Sequence, residues 1–305
     1  MAQRPSTLAP GGKMLHIEPR ARALRRANPI RKAPFERSYR PMSGYVSKAV
    51  ADIVLGLRAW RIWVMLASTD IRKRYRRSRI GQFWITASMG MLVLGLGLLY
   101  SNIFGMAISE YLPYVAINIV LWGLVSGLVN DGCTAFVDAE AYMKNLGLPK
   151  CSFVLRSAFR NMLVTGHNVL IIVAVMLYFA MPVSLTSLLF IPAMIVIVLN
   201  GVWMGLLLGT MSARFRDIPQ TVASIMQVVF FLTPVMFHPR QLSANAQGVL
   251  DYNPFAALLA IAREPLFGNV PRTHDIVFAC GMLVIGWLIV IPFFGKFRDR
   301  VVYWL

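Results

Sequence analysis

The chain has 305 residues, 57% hydrophobic and only 14% charged, with a mean hydropathy of +0.60. Soluble domains carry roughly 25% charged residues, so most of this apolar surface belongs against lipid or neighbouring helices rather than in one soluble core. The net charge of +18 would suit a nucleic-acid binder, but 19 of the 31 Lys and Arg lie in residues 1–80, ahead of the first apolar run. No helix-turn-helix or aromatic-basic sheet pattern accompanies them, so no nucleic-acid partner is expected.

Residues 1–44 mix Arg, Pro and small residues without periodicity, and the expectation is a disordered basic tail in the cytoplasm. No apolar segment of a secretory signal occurs there. Residues 45–80 change character. Val46, Val50, Ile53, Val54 and Leu57 recur at helical spacing with Lys48, Asp52 and Arg58 between them, which predicts an amphipathic helix lying in the membrane interface. Trp60 and Trp63 follow, and then six cations in eight residues: Arg72, Lys73, Arg74, Arg76, Arg77 and Arg79.

The region 81–295 reads as six spans. Gln82 to Ser109 is uncharged for 28 residues and Tyr111 to Asn130 for 20, against the roughly 20 residues a span needs. Residues 131–160 carry Lys144, Lys150, Arg156 and Arg160 and read as an inside segment with short helices broken at Gly147 and Pro149. Asn161 to Ala213 has no Asp, Glu, Lys or Arg across 53 residues, too long for one span, and Met181 to Ser184 is the natural turn. The spans are expected at 82–107, 111–130, 161–181, 185–210, 218–237 and 276–294, followed by a cytoplasmic tail, 296–305. Between the last two spans, Phe255 to Ile261 is an apolar run of seven, too short to cross, which predicts re-entrant or interfacial half-helices in an outside loop. This layout puts 28 of the 31 Lys and Arg inside, with Arg240, Arg263 and Arg272 outside and both termini in the cytoplasm. The fold class is therefore an all-α integral membrane protein.

Chemistry-bearing residues are few. The spans hold almost no ionisable groups apart from His167, which argues against ion-coupled transport. No GxxxxGK[ST] sequence exists to cradle ATP, so a separate ATPase partner would resolve both absences. The three cysteines and four scattered histidines show no CxxC and no ligand spacing, and neither a disulfide nor a bound metal or cofactor is expected. Gly201, Gly205 and Gly209, and Gly123 with Gly127, mark faces for close helix packing within the chain.

Several short stretches, in order and spacing, resemble the permease subunit of type-2 ABC exporters of the polysaccharide group, which export lipid-linked O-antigen. They are the basic run and turn from Asp70 to Trp84, Leu112-Pro113-Tyr114, Leu148-Pro149, Ala213 to Ile218, Thr233-Pro234-Val235, Asn253-Pro254-Phe255, and Arg263 to Gly268. Ile80 and Gln82 depart from the commoner Leu and Pro of the family, and the basic tail is longer. The resemblance implies a non-catalytic transport subunit in the bacterial inner membrane. Two copies would line one channel on a dimeric ABC ATPase that holds the ATP. The cargo would be a glycan on undecaprenyl pyrophosphate.

On that basis Arg72, Arg74, Arg76, Arg77 and Arg79 are candidates to contact the lipid pyrophosphate, or anionic lipid, through charge-assisted hydrogen bonds. A basic run before a first span is also an ordinary topology signal. Phe83, Trp84, Tyr100, Phe104, Phe230, Phe231 and Phe237 are candidates to line a glycan path, since sugars stack on aromatic faces. Lys48 and Asp52 on the interfacial helix, and Glu140, Tyr142, Lys144 and Leu146 on the inside helix, are candidates for ATPase contact. Glu140 and Lys144 share a face at i, i+4. Export of capsule, teichoic acid or another amphipathic cargo is the alternative within the class. A membrane glycosyltransferase would need a carboxylate site, and Asp251, Glu264 and Asp275 form no recognisable DxD.

Overall fold

A computed structural model describes residues 44–75, 81 and 83–305 of the chain. The described residues are helical, with no strand among them.

Two helices precede the spans. The helix expected after residue 44 forms as α1 (Tyr45–Arg58), and a second, α2 (Trp60–Tyr75), continues after a break at Ala59. The Trp63 indole donates to the Gly56 carbonyl at 3.0 Å and fixes that elbow. α1 buries one narrow face, Ala49, Asp52 and Gly56, and leaves Val46, Val50, Val54 and Leu57 exposed, as the amphipathic pattern requires of a helix lying on apolar surroundings.

Among the described residues, five helices are long and apolar enough to cross a membrane. They are α3 (Phe83–Phe104), α4 (Ile108–Thr134), α6 (Cys151–Tyr178), α7 (Phe190–Arg214) with the short 3-10 turn Leu185–Leu189 ahead of it, and α11 (Thr273–Trp304). The short helix α5 (Glu140–Asn145) lies between α4 and α6. α6 starts at Cys151, ten residues before the expected 161, and α11 runs to Trp304, ten past the expected 294. Arg156 and Arg160 in α6 and Arg298 in α11 are paired with carboxylates of neighbouring helices.

α8 (Ile218–Leu232) is the exception among the expected spans, at 15 residues. That is about 22 Å of helix, short of a hydrocarbon core of about 30 Å. Pro234 disfavours helical backbone at the residue before it, and Thr233 is extended at φ −100° and ψ 141°. The carbonyls freed there find side-chain donors, as buried backbone must. Tyr111 donates to the Met236 carbonyl at 2.6 Å, the Tyr114 hydroxyl lies 3.0 and 2.9 Å from the Pro234 and Phe237 carbonyls, and the Asn253 amide donates to the Leu232 carbonyl at 3.1 Å.

α9 (Ala244–Asp251) and α10 (Pro254–Leu266) form the half-helices between α8 and α11. Asn253 caps α10, its side chain accepting from the Phe255 and Ala256 amides at 3.0 and 3.3 Å, with Pro254 at the first helical position. Ten of the 13 residues of α10 are buried, packed on α4, α7 and α11, so it is an interior element and not a surface loop.

The core is built around α4, buried along most of its length between α3, α6, α7, α8 and α10. Small residues set its closest contact: a Cβ on Gly132 of α4 would sit 2.7 Å from the Gly205 Cα of α7. The glycine stripe 201, 205, 209 therefore packs α7 onto α4 within the chain.

Candidate functional site

One end of the bundle gathers α1, α2, α5, the start of α6 and the end of α11. Asp52 of α1 is fully buried and accepts from the backbone amides of Cys151, at 2.8 Å, and Lys150, at 3.2 Å, at the start of α6. The Arg298 Nε of α11 lies 3.1 Å from the same carboxylate, and its Nη1 donates to the Lys48 carbonyl at 3.1 Å. Burial pushes the Asp52 carboxyl above its usual range, against the pull of the Cys151 and Lys150 amides. One side chain thus ties three elements together. The fit is close enough that a Cβ on Gly295 of α11 would collide with the Tyr45 carbonyl of α1.

A second network lies beside it. Arg156 of α6 makes a bidentate pair with Asp70 of α2, at 2.7 and 2.6 Å, and its guanidinium sits 5.3 Å from the Tyr142 ring centroid of α5. Arg160 pairs with Asp131 of α4 at 2.9 Å, and the Asn161 amide donates to Asp131 at 2.8 Å. On α5, Lys144 donates to Glu140 at 2.6 Å and holds its carboxyl below the usual carboxylate range.

The candidate ATPase-contact residues fall into two groups. Lys144, Glu140 and Leu146 are exposed or nearly so, Tyr142 is half-buried under Arg156, and Lys48 reaches Asp299 at 3.4 Å at the surface. Asp52 corrects the sequence reading. The sequence makes it a candidate for ATPase contact; it lies on the inward face, where the α6 N-terminus and Arg298 supply partners, and it offers no surface to another chain.

Of the candidate pyrophosphate contacts, Arg72 is exposed on the last turn of α2, two residues beyond the paired Asp70. Arg74 lies on α2, its side chain outside the described residues, and Arg76, Arg77 and Arg79 lie outside them altogether.

The aromatic candidates divide between two helices on different parts of α4. On α3, Phe83 and Trp84 are exposed, and half-buried Tyr100 and Phe104 stack in series, 5.7 Å apart, with Phe104 5.8 Å from Tyr111. On α8, Phe230 lies 5.6 Å from Trp122 and 5.3 Å from Phe231, which is 72% exposed. Phe237 is half-buried beyond the end of α8. Among the described residues no ring contact joins the two sets. α3 and α8 bury few residues, and each leaves an apolar face uncovered.

The opposite end holds a cluster that the sequence reading passed over. Arg263 of α10, 6% exposed, donates to the Tyr114 hydroxyl at 3.3 Å, to Asn118 at 3.4 Å and to Glu264 at 2.8 Å, and stacks over the Tyr114 ring at 5.3 Å. The signal was present: Tyr111, Tyr114 and Asn118 stand at i, i+3 and i+7, a polar stripe on an otherwise apolar helix face.

An all-helical bundle with five apolar helices of spanning length, half-helices inserted before the last and amphipathic helices at its head is a multi-pass membrane protein. The family model described as ABC-2 type transporter matches residues 61–267, over half of the chain, and the chain belongs to that family of transporter membrane subunits. It is similar to the O-antigen export system permease protein RfbA of Klebsiella pneumoniae, 20% identical over 78% of this chain and 92% of the relative. A second Klebsiella pneumoniae protein of that name is 20% identical over 70% and 83%. The protein of that name from Myxococcus xanthus is 22% identical over 64% and 76%. Membership of this family implies an ABC ATPase as partner.

Proposed function

We propose that this chain is the permease of an ATP-driven exporter that carries a lipid-linked polysaccharide, an O-antigen-type glycan on undecaprenyl pyrophosphate, from the cytoplasmic side across the bacterial inner membrane. The observation that carries the reading is the match to O-antigen export permeases over 92% and 83% of their length, in a chain whose apolar segments lack the ionisable groups of an ion-driven carrier.

In this reading the end bearing α1, α2, α5 and both termini of the described chain faces the cytoplasm, in keeping with the placement of Lys and Arg. α8 with the segment to Phe237, backed by α9 and α10, makes the fifth of six crossings. Two copies face each other through the uncovered sides of α3 and α8, which brings the two aromatic sets to one glycan path. The exposed side of α5, with Glu140 and Lys144, meets the ATPase. Arg72 and the cations after it meet the pyrophosphate at the inner surface, where charge-assisted hydrogen bonds are strong and phosphate selects arginine.

Deletion of the gene tests this. Loss of surface polysaccharide with accumulation of glycan on the cytoplasmic face of the inner membrane is the expected result. Normal surface polysaccharide, with no intermediate retained, overturns it.

A further inference from the structure

A cavity of about 710 Å³ opens at the end of the bundle opposite α1, walled by the start of α4, the turn after α8, α9, α10 and the start of α11. Its size is that of a small-molecule site, roughly 300–1,000 Å³. Arg240, Arg263 and Arg272 all line it, and they are the only Lys or Arg in residues 218–295. Cations are sparse on the outer side of a membrane protein, and here each one retained in this stretch is spent on one cavity.

The charges balance. Glu110, Glu264 and Asp275 face the three arginines across the same space. Arg263 is paired with Glu264 at 2.8 Å and Arg272 with Asp275 at 3.0 Å. A phosphate site collects cations with few acids to oppose them; this cavity has equal numbers, which favours a neutral polar ligand. Both kinds of hydrogen-bonding group remain free. Among the described residues neither the Glu110 carboxylate nor the Arg240 guanidinium makes a hydrogen bond or ion pair, so one acceptor and one donor group are unused. His238 accepts from the Arg240 amide through Nδ1 at 3.3 Å, so in the neutral ring Nε2 carries the hydrogen. Burial, with Arg263 and Arg240 nearby, pushes the His238 imidazole below its usual pKa. A floor of rings completes the site: Tyr114 lies 4.9 Å from His238 and 6.5 Å from Phe267, centroid to centroid.

We propose that this cavity is a carbohydrate-binding site that takes a neutral sugar residue at the outer end of the translocation path. Sugar hydroxyls donate and accept at once, matching the free Glu110 and Arg240 groups, and the apolar face of a pyranose packs on the ring floor. The proposal rests on the exporter reading for how a sugar arrives; the site's chemistry is independent of it.

The full chain in nanodiscs is tested by saturation-transfer NMR with D-mannose, D-galactose and L-rhamnose as probes, and with inorganic pyrophosphate as the competing anion. Glu110 and Arg240 are exposed and unpaired, so Glu110→Gln and Arg240→Ala leave the fold intact. Saturable transfer from at least one sugar is expected, weakened at least fivefold in the double variant and unchanged by Arg300→Ala, an exposed cation at the other end of α11. No saturable transfer from any of the three, or transfer that the double variant leaves unchanged, overturns the proposal, as does pyrophosphate binding lost in Arg240→Ala without any sugar signal. A chain that co-purifies with an ATPase and restores export, yet gives no sugar transfer, refutes the cavity assignment and leaves the exporter reading standing. Sugar transfer at this cavity in a chain that restores no export does the reverse.

Discussion

Replacing Asp52 by Ala removes the one side chain that joins α1, α6 and α11. The change takes the Asp52 carboxylate from the Arg298 guanidinium, 6% exposed, which keeps Asp299 at 3.8 Å and the Lys48 carbonyl at 3.1 Å, and strips two amides at the start of α6 of their acceptor. Breaking a buried ion pair from one side costs about 3–5 kcal/mol, and a lost helix cap costs about 1 kcal/mol. The two share one carboxylate and do not add. Arg298 retains Asp299 as a second carboxylate at 3.8 Å, which places the sum at about 3 kcal/mol, the lower end for a buried pair. At about 2 °C per kcal/mol, the figure for larger chains, Tm falls by roughly 6 °C. Asp52→Asn keeps an oxygen for the amides and loses only the charge, so it falls less. The assay is thermal unfolding of the detergent-extracted chain followed by size-exclusion chromatography. A Tm for Asp52→Ala within about 1 °C of the parent would refute the clamp, since that limit corresponds to less than the cost of one cap.

Gly205→Leu places side-chain atoms where Val154 and Gly132 already lie, at 2.8 and 3.3 Å from a bare Cβ, and is expected to abolish recovery of monodisperse protein; Gly95→Ala, with nothing within 4 Å, serves as the tolerated control in the same chromatography. Tyr114→Phe removes the hydroxyl shared by the Pro234 and Phe237 carbonyls and Arg263, and a loss of about 1–3 kcal/mol is expected in the same unfolding assay. Tyr100→Ala with Phe230→Ala is expected to lower surface polysaccharide severalfold while the chain still assembles with its ATPase; unchanged export removes both rings from the glycan path.

The apolar segments were legible because lipid leaves a simple mark on sequence: long runs without charge, with cations crowded between them. Their ends were less legible. The segment 131–160 read as short helices broken at Gly147 and Pro149; one helix, α6, starts just after that break at Cys151 and runs on without interruption into the apolar stretch, with Asp70 and Asp131 pairing Arg156 and Arg160. Arg298 reads as tail, yet it turns inward to Asp52 and α11 continues to Trp304. Both partners lie far along the chain, and periodicity carries no information about such pairs. Pro234 was visible and its effect on α8 was predictable from the backbone, whereas the three side chains that satisfy the freed carbonyls come from α4 and the cap of α10. The half-helices were legible as an apolar run too short to cross. The Arg263 cluster was not, because a lone Arg at the end of a short apolar run reads as a helix-ending charge until Tyr114 and Asn118 are seen beside it.

The central claim, a permease that works with a separate ATPase, is tested most directly by tagging this chain, extracting it gently from its native membrane and identifying what accompanies it. An ABC ATPase in stoichiometric amount is expected, lost on charge reversal of Glu140 and Lys144 together with Lys48. A stable, monodisperse chain without an ATPase, from a membrane that contains one, would contradict it.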